Sequence, residues 1–387
     1  MTLKRNSKLF LVLFLGTLSA FGPFVTDLYL PALPTMSSYF NSSTSTIQLT
    51  LTGSMVGLAL GQLLIGPISD KYGRKNPLII SLIVYLISTI AIILFPNVYA
   101  MIVLRFIQGV SSAGAVVISR AISTDLYHGR ELAAFFALLM AVNGLAPILS
   151  PILGSVLLEL TDWRGIYVTL ALIGLILLAV SFKFNESLVV EKRLDVPITK
   201  TYYSLVYVVK NRLFFALVIV QGFALAAMFA YIAASPFILQ THYSLSPLMY
   251  SLCFGLNGFA IVLGSKSAGN FKEKVSIKLG LSLMLLVSIY LAVALTLTLP
   301  FLFIEVGFFL LLLGLGFILP AGSAIAMSLE RERAGSASAF FGFVPFFLGG
   351  VVSPLVGIGN IFHSSAIAIV ICSAISFVTF KLVEKKI

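Results

Sequence analysis

Gly66-Pro67-Ile68-Ser69-Asp70-Lys71-Tyr72-Gly73-Arg74-Lys75 is a short charged stretch between two long apolar runs. Gly73 allows a tight turn with positive φ, since it has no Cβ. Asp70 is placed to cap a neighbouring helix start and to compensate its dipole. Arg74 carries a planar fork that can hold a carboxylate through two parallel hydrogen bonds, and Asp125 is a candidate partner. Any inner loop carries basic residues, which accounts for Lys71 and Lys75. That does not account for an Asp and a Gly at these spacings.

The pattern on either side of this stretch continues along the whole chain. Of 387 residues, 59% are hydrophobic and 10% are charged, and the mean hydropathy is +1.08. Soluble domains carry about 25% charged residues and could not hide so much apolar surface. A membrane span needs about 20 mostly apolar residues. Twelve such runs lie near 9–36, 46–68, 77–95, 98–120, 132–158, 164–182, 212–240, 247–266, 277–299, 301–327, 335–359 and 361–380, numbered here as spans 1 to 12. The links are too short for a soluble domain. Transmembrane strands would alternate apolar and polar residues, and these runs do not. Lys4, Arg5 and Lys8 ahead of Leu9–Phe21 also fit a signal peptide. The apolar run continues past any plausible cleavage point and carries Asp27, which favours a first span.

The net charge of +11 follows topology rather than nucleic acid. Lys4, Arg5 and Lys8 precede span 1, and Lys71, Arg74 and Lys75 follow span 2. Arg120 and Arg130 flank the 4–5 link, and Lys183 to Arg212 mark the 6–7 link. Lys266, Lys272, Lys274 and Lys278 mark 8–9, Arg331 and Arg333 mark 10–11, and Lys381, Lys385 and Lys386 follow span 12. The opposite links carry only Arg164. This positive-inside bias places both termini in the cytoplasm. Cys253 and Cys372 fall within spans, so no disulfide framework is expected. Asn41-Ser42-Ser43 is a formal glycosylation sequon and reads as chance. His128, His242 and His363 lie in links, so neither a histidine relay nor a metal site is indicated.

The basic link from 183 to 211, with Pro197, divides the chain into a first six-span bundle, 1–182, and a second, 212–387. Ser150-Pro151-Ile152-Leu153-Gly154 in span 5 recurs as Ser353-Pro354-Leu355-Val356-Gly357 in span 11. Ala134-Phe135-Phe136 and Ala339-Phe340-Phe341 open the same two spans. Together they favour a 6+6 duplication, an architecture of transporters.

Asp27 and Arg105 lie inside apolar runs, where a charge costs at least about 2.5–3.5 kcal/mol and marks a functional hypothesis by default. Asp27 is seven residues from the outer end of span 1, taken at Pro34, and Arg105 is seven residues from the start of span 4. At 1.5 Å per residue both are roughly 10 Å deep, so pairing directly, through water or through substrate is geometrically open. Burial and a neighbouring guanidinium pull the proton affinity of a carboxyl in opposite directions. A carboxyl so placed can take and release protons as its access alternates, and a static buried ion pair is the alternative. Glu305 in span 10 reads equally as a second titrating site, a contact for a cationic substrate or a solvated group at the outer mouth. Gln108 is on the Arg105 face of span 4. Tyr29, Asn143, Tyr231 and Asn257 are polar groups in apolar spans. They read as pocket lining or as helix-packing hydrogen bonds. Pro147 and Pro151 remove backbone donors and kink span 5.

The Gly66–Lys75 stretch resembles the G-x-x-x-D-x-x-G-R-[RK] loop of the major facilitator superfamily, and the resemblance covers the whole chain. Leu104-Arg105-Phe106-Ile107-Gln108-Gly109 resembles that family's span-4 motif, R-x-x-Q-G. Ala146-Pro147-Ile148-Leu149-Ser150-Pro151-Ile152-Leu153-Gly154 resembles the span-5 signature of its antiporters, with Ala146, Ser150 and Ser155 at glycine positions. The Ala-Pro-x-x-x-Pro form is similar to the Bcr/CflA drug-resistance branch. So are Thr26-Asp27-Leu28-Tyr29-Leu30-Pro31-Ala32-Leu33-Pro34, Asp162-Trp163-Arg164 and Ala234-Ser235-Pro236-Phe237-Ile238-Leu239-Gln240. The second-half counterpart of the loop, after Gly264, lacks the Asp-x-x-Gly-Arg core.

The resemblance implies an all-α membrane protein of two pseudo-repeated six-helix bundles. It implies a drug:proton antiporter of the bacterial inner membrane, driven by the proton gradient without cofactor. It gives the span-1 acid, Asp27, the role of coupling protons to a hydrophobic or amphipathic substrate, with Arg105 beside it. It gives Pro147, Ser150, Pro151 and Gly154 a sealing and rocking role. Gly66, Asp70, Gly73, Arg74, Lys75 and Asp125 form a conformational latch, expected to hold the two halves in one outward-facing arrangement. A monomer is expected. Rival readings are an exporter of a metabolite such as an amino acid, an importer, a channel and a membrane-embedded enzyme. The enzyme is disfavoured because neither H-E-x-x-H nor G-x-S-x-G occurs, and no nucleotide-binding G-x-x-x-x-G-K-[ST] loop is present.

Overall fold

In bilayer the backbone must satisfy its own hydrogen bonds, so long apolar runs can cross only as helices or closed barrels. The computed structural model describes residues 7–194, 205–330 and 333–386, and among these it is helical with no strand. Lys4, Arg5, Pro197 and Arg331 lie outside the described residues. Twelve helices among them are long and apolar enough to cross a membrane. In order they are Leu9–Tyr39, Thr44–Tyr72, Lys75–Leu94, Val98–Leu126, Gly129–Leu160, Trp163–Lys183, Arg212–His242, Pro247–Ala268, Glu273–Thr296, Phe301–Leu329, Ala334–Leu355 and Ile361–Val383.

Short polar side chains set several of the starts. Asn97 Oδ1 accepts from the backbone N–H of Tyr99 and Ala100 at 3.0 and 3.1 Å, opening span 4. Asp162, Asn211 and Asn360 do the same for spans 6, 7 and 12. Each satisfies N–H groups that a helix start leaves without partners.

Contacts within the bundles repeat. Span 1 packs on spans 4 and 5, and span 3 on spans 4 and 6. In the second half span 7 packs on spans 10 and 11, and span 9 on spans 10 and 12. Small residues allow the closest approaches. A Cβ at Gly53, Gly57 or Gly61 of span 2 would strike the backbone of span 4, and one at Gly264 of span 8 would strike span 10. Ser150 Oγ donates to the Ala146 carbonyl at 2.6 Å and Ser353 Oγ to that of Gly349 at 2.8 Å, each one residue before a proline.

The chain forms two compact units, and they do not divide as the sequence divides. One comprises residues 1–29 and 53–202, the other residues 30–52 and 203–387. The sequence reading assigned residues 30–52 to the first bundle. Here they pack with the second unit, held by side-chain bonds to backbone carbonyls. Gln48 Nε2 donates to Ala233 at 2.8 Å, Ser45 Oγ to Pro354 at 2.9 Å and Thr52 Oγ1 to Gly350 at 2.8 Å.

Two element boundaries also differ from expectation. Span 1 runs on to Tyr39 through a short 3-10 turn, Leu30–Ala32, so Asp27 is farther from its end than Pro34 implied. Span 2 stays helical through Pro67 to Tyr72, so most of Gly66–Lys75 is helix and the turn is confined to Gly73 and Arg74.

Candidate functional site

The α-helix of span 1 ends at Asp27, and the 3-10 turn begins at Leu30. This break leaves carbonyls without helical partners, and span 4 uses one of them. Arg105, fully buried, donates from Nη1 to the Val25 carbonyl at 3.0 Å and to Gln108 Oε1 at 2.6 Å. Gln108 in turn donates from Nε2 to Thr89 Oγ1 at 2.7 Å. The guanidinium lies 4.1 Å from the centre of the Tyr29 ring and 5.9 Å from that of Tyr167, a cation–π arrangement that desolvation strengthens. Nε and Nη2 have no hydrogen-bond partner among the described residues.

Asp27 is 8% exposed in the same unit. Among the described residues it makes no ion pair within 4.0 Å with Arg105 or any other cation, so the static ion pair allowed by the sequence is not formed here. Acid and guanidinium lie at the same break in span 1 without a direct ion pair between them. Span 5 seals against that break. A Cβ on Gly154 would collide with the Leu28 carbonyl, so only glycine lets the helix approach this closely. Asn143, farther along span 5, donates to Ser19 Oγ at 2.6 Å and joins spans 5 and 1. Pro147 and Pro151 both lie within the unbroken helix Gly129–Leu160.

Tyr231, Asn257 and Glu305 are far apart in the sequence and form one cluster in the second unit. Asn257 Nδ2 donates to Glu305 Oε1 at 2.9 Å and to Tyr231 Oη at 3.0 Å. Glu305 is 5% exposed, which removes the solvated-mouth reading.

The loop is a cluster of charges around Arg74. Nε and Nη2 donate to the two oxygens of Asp125 at 2.9 and 3.2 Å. Nη1 donates to Asp70 at 2.5 Å and to Ser69 Oγ at 2.9 Å. Burial works against the Arg74 charge, and the Asp125 and Asp70 carboxylates outweigh it, so its pKa lies above the usual guanidinium value. Gly73 makes the turn with φ +88. Asp70 does not cap span 3, because Arg74 holds it.

Glu186, which the sequence did not single out, takes that position. Its carboxylate accepts from the backbone N–H of Arg74 at 2.9 Å and of Lys75 at 3.1 Å. Lys75 Nζ reaches the Phe182 carbonyl at 2.8 Å, and Ser187 Oγ reaches Asp125 at 2.9 Å. All these partners belong to the first unit. The contacts fasten spans 2, 3 and 4 to the start of the 6–7 link, and none of them is the bond between halves that the sequence reading expected. The only sequence signal for Glu186 was an acid within a basic link.

Residues 9–354 match the Major Facilitator Superfamily. The chain is 36% identical over 362 residues to the MFS-type transporter YdgK of Bacillus subtilis (strain 168), covering 92% of this chain and 90% of that one. It is 27% identical to a bicyclomycin resistance protein homolog of Haemophilus influenzae, covering 70% and 69%. Among solved structures, a bacterial homolog of the human lysosomal transporter Spinster superposes with a TM-score of 0.74 over 97% of this chain and 98% of that one, at 15% identity. The chain therefore belongs to the Major Facilitator Superfamily, a family of multi-pass membrane transporters.

Proposed function

We propose that this chain is a proton-coupled exporter of hydrophobic or amphipathic small molecules, a drug:proton antiporter of the Bcr/CflA type. It works in the bacterial inner membrane with both termini in the cytoplasm. The observation that carries the reading is the pair of buried, unneutralised charges at the break in span 1. Among the described residues Asp27 has no cation within 4.0 Å, and Arg105 Nε and Nη2 have no hydrogen-bond partner. A carboxyl in that setting accepts a proton at little structural cost and loses it when a cationic or polar group approaches. Arg105 is tethered to Val25 and Gln108, so it offers a fixed positive field throughout. Proton and substrate then compete for one neighbourhood, which is the thermodynamic requirement for exchange. Access to that neighbourhood alternates between the two sides of the membrane, and both states must lie within a few kcal/mol of each other.

The name of the Haemophilus relative supports an antibiotic as substrate, and the basic links support the orientation. Expression in a host lacking its own efflux pumps tests the reading. Resistance should rise several-fold for at least one class of amphipathic antibiotic and return to baseline when a protonophore collapses the gradient. An unchanged profile across classes would favour the metabolite exporter.

A further inference from the structure

We infer that Glu305 is a second proton-binding site, holding its proton in a paired hydrogen bond with Asn257. The pair lies in the unit that does not contain Asp27. Asn257 is fully buried and Glu305 is 5% exposed. One bond of an acid–amide pair is already made, from Asn257 Nδ2 to Glu305 Oε1 at 2.9 Å. Two acceptors of the same two side chains, Glu305 Oε2 and Asn257 Oδ1, are buried without a donor among the described residues. An unmet buried acceptor costs about 1–3 kcal/mol, and more when charged. A single proton on Oε2 turns one of the two acceptors into a donor for the other. It also removes a buried charge that no cation offsets, since no ion pair within 4.0 Å involves Glu305 among the described residues.

The surroundings favour a proton over a larger ligand. Tyr231, whose hydroxyl accepts from Asn257, is 1% exposed, packs at a tilt against Phe308 at 4.7 Å and stacks on Phe254 at 6.0 Å. With all three polar residues this deeply covered, an organic cation has no room beside them, whereas a proton needs none. The titratable groups facing the pair are Tyr231 from span 7 and Cys253 and Tyr250 from span 8. Tyr290 of span 9 is engaged with the Phe303 carbonyl. The basic residues of the packed spans, Arg212, Lys266, Lys274 and Lys278, lie at the opposite ends of their helices. Uptake is a simple acid–base step in which one proton moves from water to the carboxylate and no other bond changes.

The site rests on the proposed antiport only for its role in transport, so the test separates the two. The whole chain is purified with Asp27→Asn as background, with and without Glu305→Gln. Glutamine is the closest mimic of the protonated acid, because its amide can donate where Oε2–H would. Infrared difference spectra should show a protonated-carboxyl band at neutral pH that Glu305→Gln removes. Thermal melting of Glu305→Gln should match or exceed that of the parent at alkaline pH and converge with it as pH falls. No band lost on substitution, or a Glu305→Gln chain that melts well below its parent at every pH, would overturn the inference. These readouts need no substrate, so they stand even if drug export fails.

Discussion

At the scale of single residues, the chemistry concentrates where polar groups are buried and incompletely matched. Arg105 illustrates how one side chain meets several demands at once. Its fork binds a carbonyl freed by the break in span 1, binds Gln108, and lies over Tyr29. A lysine ammonium lacks the planar face for the ring and the rigid fork that fixes the directions of the donors. Arg105→Lys is therefore expected to lower the transport rate at least tenfold while leaving the chain inserted. Initial uptake rates at matched expression measure it, and a wild-type rate would show that charge alone is enough. Asp27 and Arg105 stand out in the sequence, because charges in apolar runs are rare. Their relationship was not legible there. Residue spacing gives depth but not azimuth, and one partner of Arg105, beside Gln108, is the Val25 backbone carbonyl, which no side-chain pattern encodes.

At the scale of elements, the fold depends on a few local devices. The Gly73 turn lets Arg74 fold back on Asp70 and across to Asp125, and Glu186 completes the start of span 3. Arg74 and Asp125 are largely buried, with 6% and 12% side-chain exposure. Removing one partner of such a pair typically costs about 3–5 kcal/mol. Losing a helix cap costs about 1 kcal/mol. Arg74→Ala should thus depress the melting temperature in detergent clearly more than Glu186→Ala, and equal effects would contradict the assignment of roles. Gly154→Val is expected to abolish transport, because its side chain would drive span 5 off the Leu28 carbonyl. Gly144→Val in the same helix, where a Cβ meets nothing within 4 Å, should be tolerated. Matching loss at both positions would show that helix propensity and not close approach is at issue. The sequence located the loop and the Pro-rich helix correctly. It ended span 2 near residue 68, whereas the helix continues through Pro67 to Tyr72; a proline near a helix end, with neighbouring helices packed around it, is tolerated in membrane spans.

At the scale of the molecule, twelve spans and the internal repeat were readable from hydropathy, charge bias and the recurring Ser-Pro segment. The membership of residues 30–52 in the second unit was not, since it is written in hydrogen bonds from Gln48, Ser45 and Thr52 to carbonyls more than a hundred residues away. Asp27 of the first unit and Glu305 of the second are both buried acids inside spans, and on the proposed reading they are two places to hold protons. Coupling through Asp27 is the central claim, and exchange in proteoliposomes tests it most directly. Vesicles containing the purified chain, loaded at acid pH and diluted into alkaline buffer with a labelled substrate, should accumulate it above the outside concentration. Asp27→Asn should abolish that accumulation and retain exchange of labelled for unlabelled substrate without a gradient. Uphill accumulation by Asp27→Asn, or wild-type uptake indifferent to the imposed pH difference, would contradict it.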